Sequence, residues 1–143
     1  MIKYEIEHIG IIVEQPVEMA NWYKDVLGFN IKFAGQDSEK GVAFLTDAND
    51  KVMLEFGKIP DVIPLCNKTD HHLQLHIGIK SNDPEKESEY LISKGAIFVE
   101  NCPITHPGDK LMVLRDPWGN SIQLVKRSTD SEISAKARRG FYE

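Results

Sequence analysis

The stretch Glu7-His8-Ile9-Gly10-Ile11 has a near copy in the middle of the chain, Leu75-His76-Ile77-Gly78-Ile79. The two histidines lie 68 residues apart (76 − 8). Each copy has the apolar character of a β-strand, and each is followed within a few residues by a proline and a segment with helical apolar spacing. The repeat therefore predicts a chain built from two similar halves.

A second pair of strand-like stretches supports the duplication. Each carries one polar residue among apolar ones, Leu54-Glu55-Phe56 in the first half and Ile122-Gln123-Leu124 in the second. Glu55 follows His8 by 47 residues (55 − 8), and Gln123 follows His76 by the same 47 (123 − 76). Two halves with equal internal spacing are typical of a duplicated structural unit.

Local signals predict the order βαβββ in each half. Pro16 suits the first helical turn and Gly28 a left-handed helix stop, and Asp83-Pro84 and Gly95 are the counterparts in the second half. The first half is predicted to have strands at 4–13, 29–33, 42–46 and 52–57, and the second at 72–79, 97–100, 111–115 and 121–126.

These elements predict an α+β fold in which paired βαβββ modules form a curved mixed-sheet trough with helices on the outer face. The predicted divisions are a first module at 1–57, a linker at 58–71, a second module at 72–126 and a charged C-terminal tail at 127–143. The linker contains Pro60 and Pro64 and lacks a clear period.

Composition excludes several functional classes. A net charge of −5 over 143 residues gives no basis for nucleic-acid binding. No apolar run approaches the roughly 18 residues of a membrane span, and the N-terminus lacks a signal-peptide pattern. Cys66 and Cys102 match no zinc or redox spacing, so we expect free thiols in the cytoplasm rather than a disulfide.

Four polar residues form the candidate site: His8, Glu55, His76 and Gln123. Strand alternation directs them away from the helices, and a curved trough would aim them at a common interior. Taken singly, each has a structural explanation, such as a salt bridge for Glu55 or a backbone hydrogen bond for Gln123. Together, their matched spacing favours one divalent metal ion, since imidazole, carboxylate and amide groups are suitable ligands for Zn, Ni, Co, Fe or Mn.

Two longer stretches carry a family resemblance. The sequences Trp22-Tyr23-Lys24-Asp25-Val26-Leu27-Gly28-Phe29 and Leu114-Arg115-Asp116-Pro117-Trp118-Gly119-Asn120-Ser121-Ile122-Gln123-Leu124, with the repeat above, resemble the vicinal oxygen chelate superfamily. This superfamily comprises glyoxalases, bleomycin resistance proteins and dioxygenases. The resemblance spans about residues 4–126 and implies metal ligands at His8, Glu55, His76 and Gln123.

Within the superfamily, glyoxalase I is the nearest match. It resembles this chain at the first three ligand positions, and it has a proton-abstracting glutamate at the fourth, where this chain has Gln123. An amide cannot act as a base near neutral pH, so Glu55 is the candidate catalytic residue. Methylmalonyl-CoA epimerase has the glutamine and the glutamate in the reverse order.

The resemblance implies a metal-dependent, glyoxalase I-like lyase or isomerase that acts on a small substrate with vicinal oxygens through an enediolate. Zn or Ni is the favoured ion, with Fe, Co or Mn as alternatives. It also implies a homodimer and a substrate pocket lined by the loops 34–41, 58–71 and 101–110. Two other functions remain open: a non-haem iron dioxygenase, since two histidines and a carboxylate fit a facial triad, and a ligand-sequestering protein of the bleomycin-resistance type.

Overall fold

The computed structural model describes residues 1–65, 70–104 and 106–129. The chain divides into two compact units, Met1–Cys66 and Asn67–Glu143, and the division falls inside the predicted linker 58–71. Cys66 and most of the predicted tail, from residue 130 onward, lie outside the described residues. None of the helices in the described ranges has the length and hydropathy needed to cross a lipid bilayer.

The first unit contains one helix and a four-stranded sheet. Its elements are β1 (Ile9–Ile12), α1 (Pro16–Leu27), β2 (Asn30–Gln36), β3 (Gly41–Thr46) and β4 (Met53–Lys58). The strand order is β1-β4-β3-β2, with β1 parallel to β4 and the other pairs antiparallel. The sheet is therefore mixed, as predicted.

The second unit repeats this plan. Its elements are β5 (His76–Lys80), α2 (Pro84–Ser93), β6 (Ile97–Asn101), β7 (Lys110–Arg115) and β8 (Ser121–Lys126). The strand order is β5-β8-β7-β6, again with the first and last strands parallel. The predicted fold class, α+β with paired βαβββ modules, is confirmed.

The helix ends follow the residues that predicted them. Pro16 begins α1, and Gly28 ends it at φ 73°, a left-handed conformation that costs a β-carbon-bearing residue strain. In α2, the Asp83 side chain accepts a hydrogen bond from the Lys86 amide (3.3 Å), and Pro84 occupies the first turn. Each helix therefore begins at a proline in its first turn, as the sequence predicted.

The core of the first unit lies between α1 and its sheet. Met19, Ala20 and Tyr23 form the buried face of α1. The Tyr23 ring makes edge-on contacts with Phe29 and Phe56, at 5.7 and 5.1 Å between ring centroids. Leu54 and Phe56 therefore face the helix, and Glu55, between them on β4, faces the opposite way.

The first strand is shorter than predicted. The prediction placed it at 4–13, whereas β1 covers only Ile9–Ile12, and Tyr4 and Ile6 are 88% and 83% exposed. The register explains the difference, since Ile9 pairs with Leu54 and the partner strand begins only one residue earlier, at Met53. Residues 4–7 extend past the end of β4 and have no strand of this sheet to pair with. His8 consequently lies at the entrance to β1.

Candidate functional site

His8 and Glu55 meet at one end of the first sheet. The Nε2 atom of His8 lies 3.1 Å from Oε2 of Glu55, with 37% and 28% of their side chains exposed. The parallel register pairs Gly10 with Glu55, so His8, two residues before Gly10, lies on the same side of the chain as Glu55. Because Gly10 has no side chain and no neighbour near its missing β-carbon, the Glu55 carboxylate can lean across to the imidazole.

The imidazole of His8 has a partner on each nitrogen. Its Nδ1 atom contacts the carboxylate of Glu7, and the ring packs edge-on against Phe44 at 5.7 Å between centroids. The hydrogen bond with Glu7 raises the pKa of His8, and the negative charges of Glu7 and Glu55 add to this effect against partial desolvation. A carboxylate that accepts from the ring nitrogen not bound to the metal is also a usual partner of a metal-ligating histidine.

The second unit repeats the register but not the contact. Gly78 pairs with Gln123 as Gly10 pairs with Glu55, so the equal spacing predicted from the sequence corresponds to equal positions in the two sheets. His76 donates from Nδ1 to the Leu73 carbonyl at 3.2 Å. In the neutral ring this bond places the hydrogen on Nδ1 and the lone pair on Nε2, the form that a metal ion requires.

Gln123 lies in apolar surroundings. It is buried, and its Nε2 atom donates to the Cys102 sulfur at 3.6 Å. Cross-strand pairing puts it on the same face as Val113, and Cys102, Leu111 and Val113 form a buried apolar cluster. The sequence contained no signal for the contact with Cys102, because this contact depends on the path of the chain just after β6.

The residues predicted to bind metal are divided between the two units. In the first, two donor atoms lie 3.1 Å apart, a separation that adjacent ligands of one ion adopt when each bond is about 2.0–2.2 Å long. Within either unit, the described residues form no group of three or more histidine, cysteine, aspartate or glutamate side chains able to hold a metal ion. The pair His8–Glu55 thus fits half of a ligand set, and the complete set of four stays a prediction.

Three other polar residues of the second unit have structural partners. His72 contacts Glu100 at 2.6 Å between Nε2 and Oε1, and Lys110 pairs with Glu85 at 2.6 Å. Arg115 donates to the carbonyls of Asp70 and Gly119. These three side chains therefore act in the fold of the second unit.

The sequence matches one family model, described as the Glyoxalase/Bleomycin resistance protein/Dioxygenase superfamily, over residues 5–124. The chain belongs to this superfamily. The resemblance drawn from the repeat and from the turn after β7 is therefore confirmed. A search of curated proteins found none that matches this chain.

Solved structures show the same fold at low sequence identity. A glyoxalase family protein from Enterococcus faecalis is 23% identical, with a TM-score of 0.63, over 85% of this chain and 97% of that one. TnmS3, an antibiotic binding protein from Streptomyces sp. CB03234, is 16% identical, with a TM-score of 0.65, over 90% and 99%.

A third similar structure contains a metal ion. It is a mutant of the fosfomycin resistance protein FosX from Listeria monocytogenes, complexed with Mn(II) and 1S,2S-dihydroxypropylphosphonic acid. It is 13% identical, with a TM-score of 0.66, over 90% of this chain and 96% of that one. At these identities the likeness concerns the fold alone.

Proposed function

We propose that the protein is a metal-dependent lyase or isomerase of the glyoxalase I type, acting on a small substrate with vicinal oxygens through an enediolate. His8, Glu55, His76 and Gln123 would hold the divalent ion, with Zn or Ni favoured. The observation that carries the proposal is the His8–Glu55 pair, in which an imidazole nitrogen and a carboxylate oxygen lie 3.1 Å apart.

The chemistry of the donors fits such an ion. Without an ion, the contact between Nε2 of His8 and Oε2 of Glu55 needs a proton on Nε2, which donates to the carboxylate, and a divalent ion can replace that proton. When bound, the ion supplies Lewis acidity, which stabilises negative charge on two adjacent substrate oxygens.

Glu55 is proposed as the group that moves the proton. Its Oε2 atom faces His8, whereas Oε1 lies only 3.5 Å from the place where a β-carbon on Gly57 would stand. The two oxygens therefore face different neighbours, and Oε1 lies over the smallest residue of β4. There the carboxylate can take a proton from the carbon beside one substrate oxygen and return it to the adjacent carbon, as a general base and then a general acid.

A ligand-sequestering role is the second candidate. The Gln123 amide donates to Cys102 beside a buried apolar cluster, so the fourth predicted ligand is engaged within the fold, which a protein that binds a ligand without a metal ion would allow. TnmS3, with the same fold, is an antibiotic binding protein. A non-haem iron dioxygenase, the third possibility from the sequence, would use His8, His76 and Glu55, and oxygen uptake would identify it.

Elemental analysis and a turnover assay separate these functions. We expect about one equivalent of Zn or Ni per chain after purification, and metal-dependent isomerisation of 2-oxoaldehyde–thiol adducts that stops on chelation. Binding of the adducts without turnover, in both the metal-loaded and the chelated protein, would favour the ligand-sequestering role instead. Iron-dependent oxygen consumption would establish the dioxygenase and overturn the proposal.

The homodimer implied by the resemblance is also a proposal. Sedimentation equilibrium would then give twice the chain mass of 16.2 kDa. A single species at 16.2 kDa across the micromolar range would contradict it.

A further inference from the structure

A cavity of about 420 Å³ opens at the far end of the first sheet. It lies where β2 turns into β3 and where the chain leaves β4. Phe33, Gly35, Val42 and Ile59 contribute to its walls, and Lys40 and Lys58 also line it. The volume lies in the range of small-molecule sites.

Two large apolar side chains on the cavity walls are exposed to solvent. Phe33 and Ile59 are 58% and 52% exposed, although both are large apolar side chains. Scattered exposed apolar residues need no explanation, but two on the wall of one cavity favour contact with an apolar ligand. Gly35 adds room, since a β-carbon there would stand 3.7 Å from the Phe33 ring.

The charged side chains of the cavity leave an excess of positive charge. Lys40 and Lys58 line it together with a single acidic residue, Asp37. Asp37 already accepts hydrogen bonds at Oδ1 from the amides of Glu39 and Lys40, at 2.8 and 2.9 Å. Neither lysine forms a salt bridge with any residue in the described ranges. The Asp37 carboxylate interacts electrostatically with both ammonium groups, so one net positive charge remains for an anionic ligand group.

The cavity adjoins the candidate base along the sheet. Val42, one of its wall residues, pairs with Gly57 across β3 and β4. Gly57 is the residue over which Oε1 of Glu55 lies, and it is two residues from Glu55 on the same strand face. At about 3.3 Å per residue, Gly57 lies roughly 7 Å from Glu55 along β4, and the wall residue Val42 lies beside Gly57 on β3.

We propose that this cavity binds a small amphipathic anion, with the apolar body against Phe33, Val42 and Ile59 and the anionic group beside Lys40 and Lys58. The proposal names a substrate class, so the relevance of this cavity to catalysis rests on the proposed function. The binding itself involves only the first unit and requires no metal ion.

The test is an NMR titration of the ¹⁵N-labelled, chelator-treated protein with 2-naphthoate. We expect saturable shifts of amides in 33–42 and 57–60. The neutral isostere 2-naphthamide should bind about fivefold more weakly, as expected for the loss of an exposed charge pair. Acetate, which lacks the apolar body, should give no saturable shifts.

Three variants and one control assign the contacts. Lys58→Gln should weaken naphthoate binding about fivefold while leaving naphthamide binding unchanged. Gly35→Val, which fills the cavity, and Phe33→Ala, which removes a wall, should weaken both probes. Lys51→Gln makes the same change of net charge in a turn outside the cavity and should have no effect.

Equal affinities for the acid and the amide, or shifts centred outside 33–42 and 57–60, would overturn the proposal. Turnover without naphthoate binding would remove the cavity proposal and leave the enzyme. Naphthoate binding by a protein that lacks metal-dependent turnover would retain the cavity and remove the enzyme. The two proposals can therefore fail separately.

Discussion

Glu55 is the one titratable carboxylate among the four predicted ligands, and its position in β4 is set by its two neighbours. Leu54 and Phe56 are buried against α1, which turns the glutamate toward the opposite face. Only there can it reach His8. The contact thus follows from strand alternation, with Gly10 leaving the necessary space.

Exchanging glutamate and glutamine at positions 55 and 123 should distinguish the residue that transfers the proton from a residue that only binds the metal ion. We expect Glu55→Gln to reduce turnover of 2-oxoaldehyde–thiol adducts at least about a hundredfold, because an amide cannot transfer the proton. Gln123→Glu should preserve or raise turnover, since it restores a carboxylate at the position equivalent to Glu55. Steady-state kinetics with saturating metal measures both.

Glu89→Gln, on the exposed side of α2, is the matched control for this pair and should leave turnover unchanged. Wild-type rates in Glu55→Gln would exclude Glu55 as the base. Restored activity in the double variant Glu55→Gln/Gln123→Glu would show that either position supports the proton transfer.

At the scale of elements, Asp116 organises the hairpin that carries Gln123. Its side chain is 1% exposed and its Oδ1 atom accepts hydrogen bonds from the amides of Trp118 and Asn120, each at 2.9 Å. We expect Asp116→Ala to lower the free energy of unfolding by about 1–3 kcal/mol, because two partly buried amide donors lose their charged acceptor. Urea denaturation measures the change.

Asp61→Asn would serve as the control, since Asp61 lies in an exposed turn and asparagine tolerates its φ of 63°. A loss below about 0.5 kcal/mol in Asp116→Ala would show that water replaces the carboxylate.

Acid sensitivity should arise at the contact between Asp109 and the residues that follow β8. The backbone hydrogen bond from Ser128 (2.7 Å) and, after it, the ion pair with Arg127 (3.0 Å) hold the pKa of Asp109 below its usual range. A carboxylate with a lowered pKa stabilises the fold above the unfolded-state pKa of about 4, and this stabilisation is lost as the pH falls through the folded value.

Asp109→Asn should therefore lower Tm at pH 7 and flatten the fall of Tm below about pH 4. Thermal scans across this range, with Asp61→Asn as the control for the same chemical change, measure it. Parallel curves for wild type and Asp109→Asn would show that the carboxylate contributes nothing to acid unfolding.

The elements were predictable where a residue has an intrinsic backbone preference. Pro16 and Gly28 located α1, and Asp83 and Pro84 located the start of α2. The length of the first strand was not predictable, because it depends on where β4 begins. Apolar alternation in residues 4–7 looks like a strand whether or not a partner is present.

At the scale of the whole molecule, the spacing of 47 residues in both halves predicted the equivalent registers Gly10–Glu55 and Gly78–Gln123. It did not predict the different partners of the two histidines. Glu7 precedes His8, whereas Leu75 precedes His76, which turns to the Leu73 carbonyl instead. The lining of the cavity includes residues of the loops 34–41 and 58–71, and the substrate pocket expected from these loops stays a prediction.

Metal binding should stabilise the folded chain. At a free Zn or Ni concentration of about 100 Kd, the expected gain is about 2.7 kcal/mol, because the ion binds a site absent from the unfolded chain. Thermal unfolding with metal, and after EDTA, measures it. The double variant His8→Ala/Glu55→Ala should lose the gain, whereas Lys51→Gln should keep it.

No difference between the metal-loaded and chelated proteins would contradict the ligand set. A full gain in His8→Ala/Glu55→Ala would place the ion elsewhere in the chain. Mg would be a useful comparison, since a site with imidazole donors should favour Zn or Ni over it.

The matching registers of Glu55 and Gln123 have an evolutionary consequence. Codons for glutamate and glutamine differ by one nucleotide, so an acid can be lost from one copy and gained in the other without any change in the backbone. A duplicated chain carries a spare position for its reactive group. Proteins descended from one duplicated ancestor can therefore carry the reactive carboxylate in opposite halves.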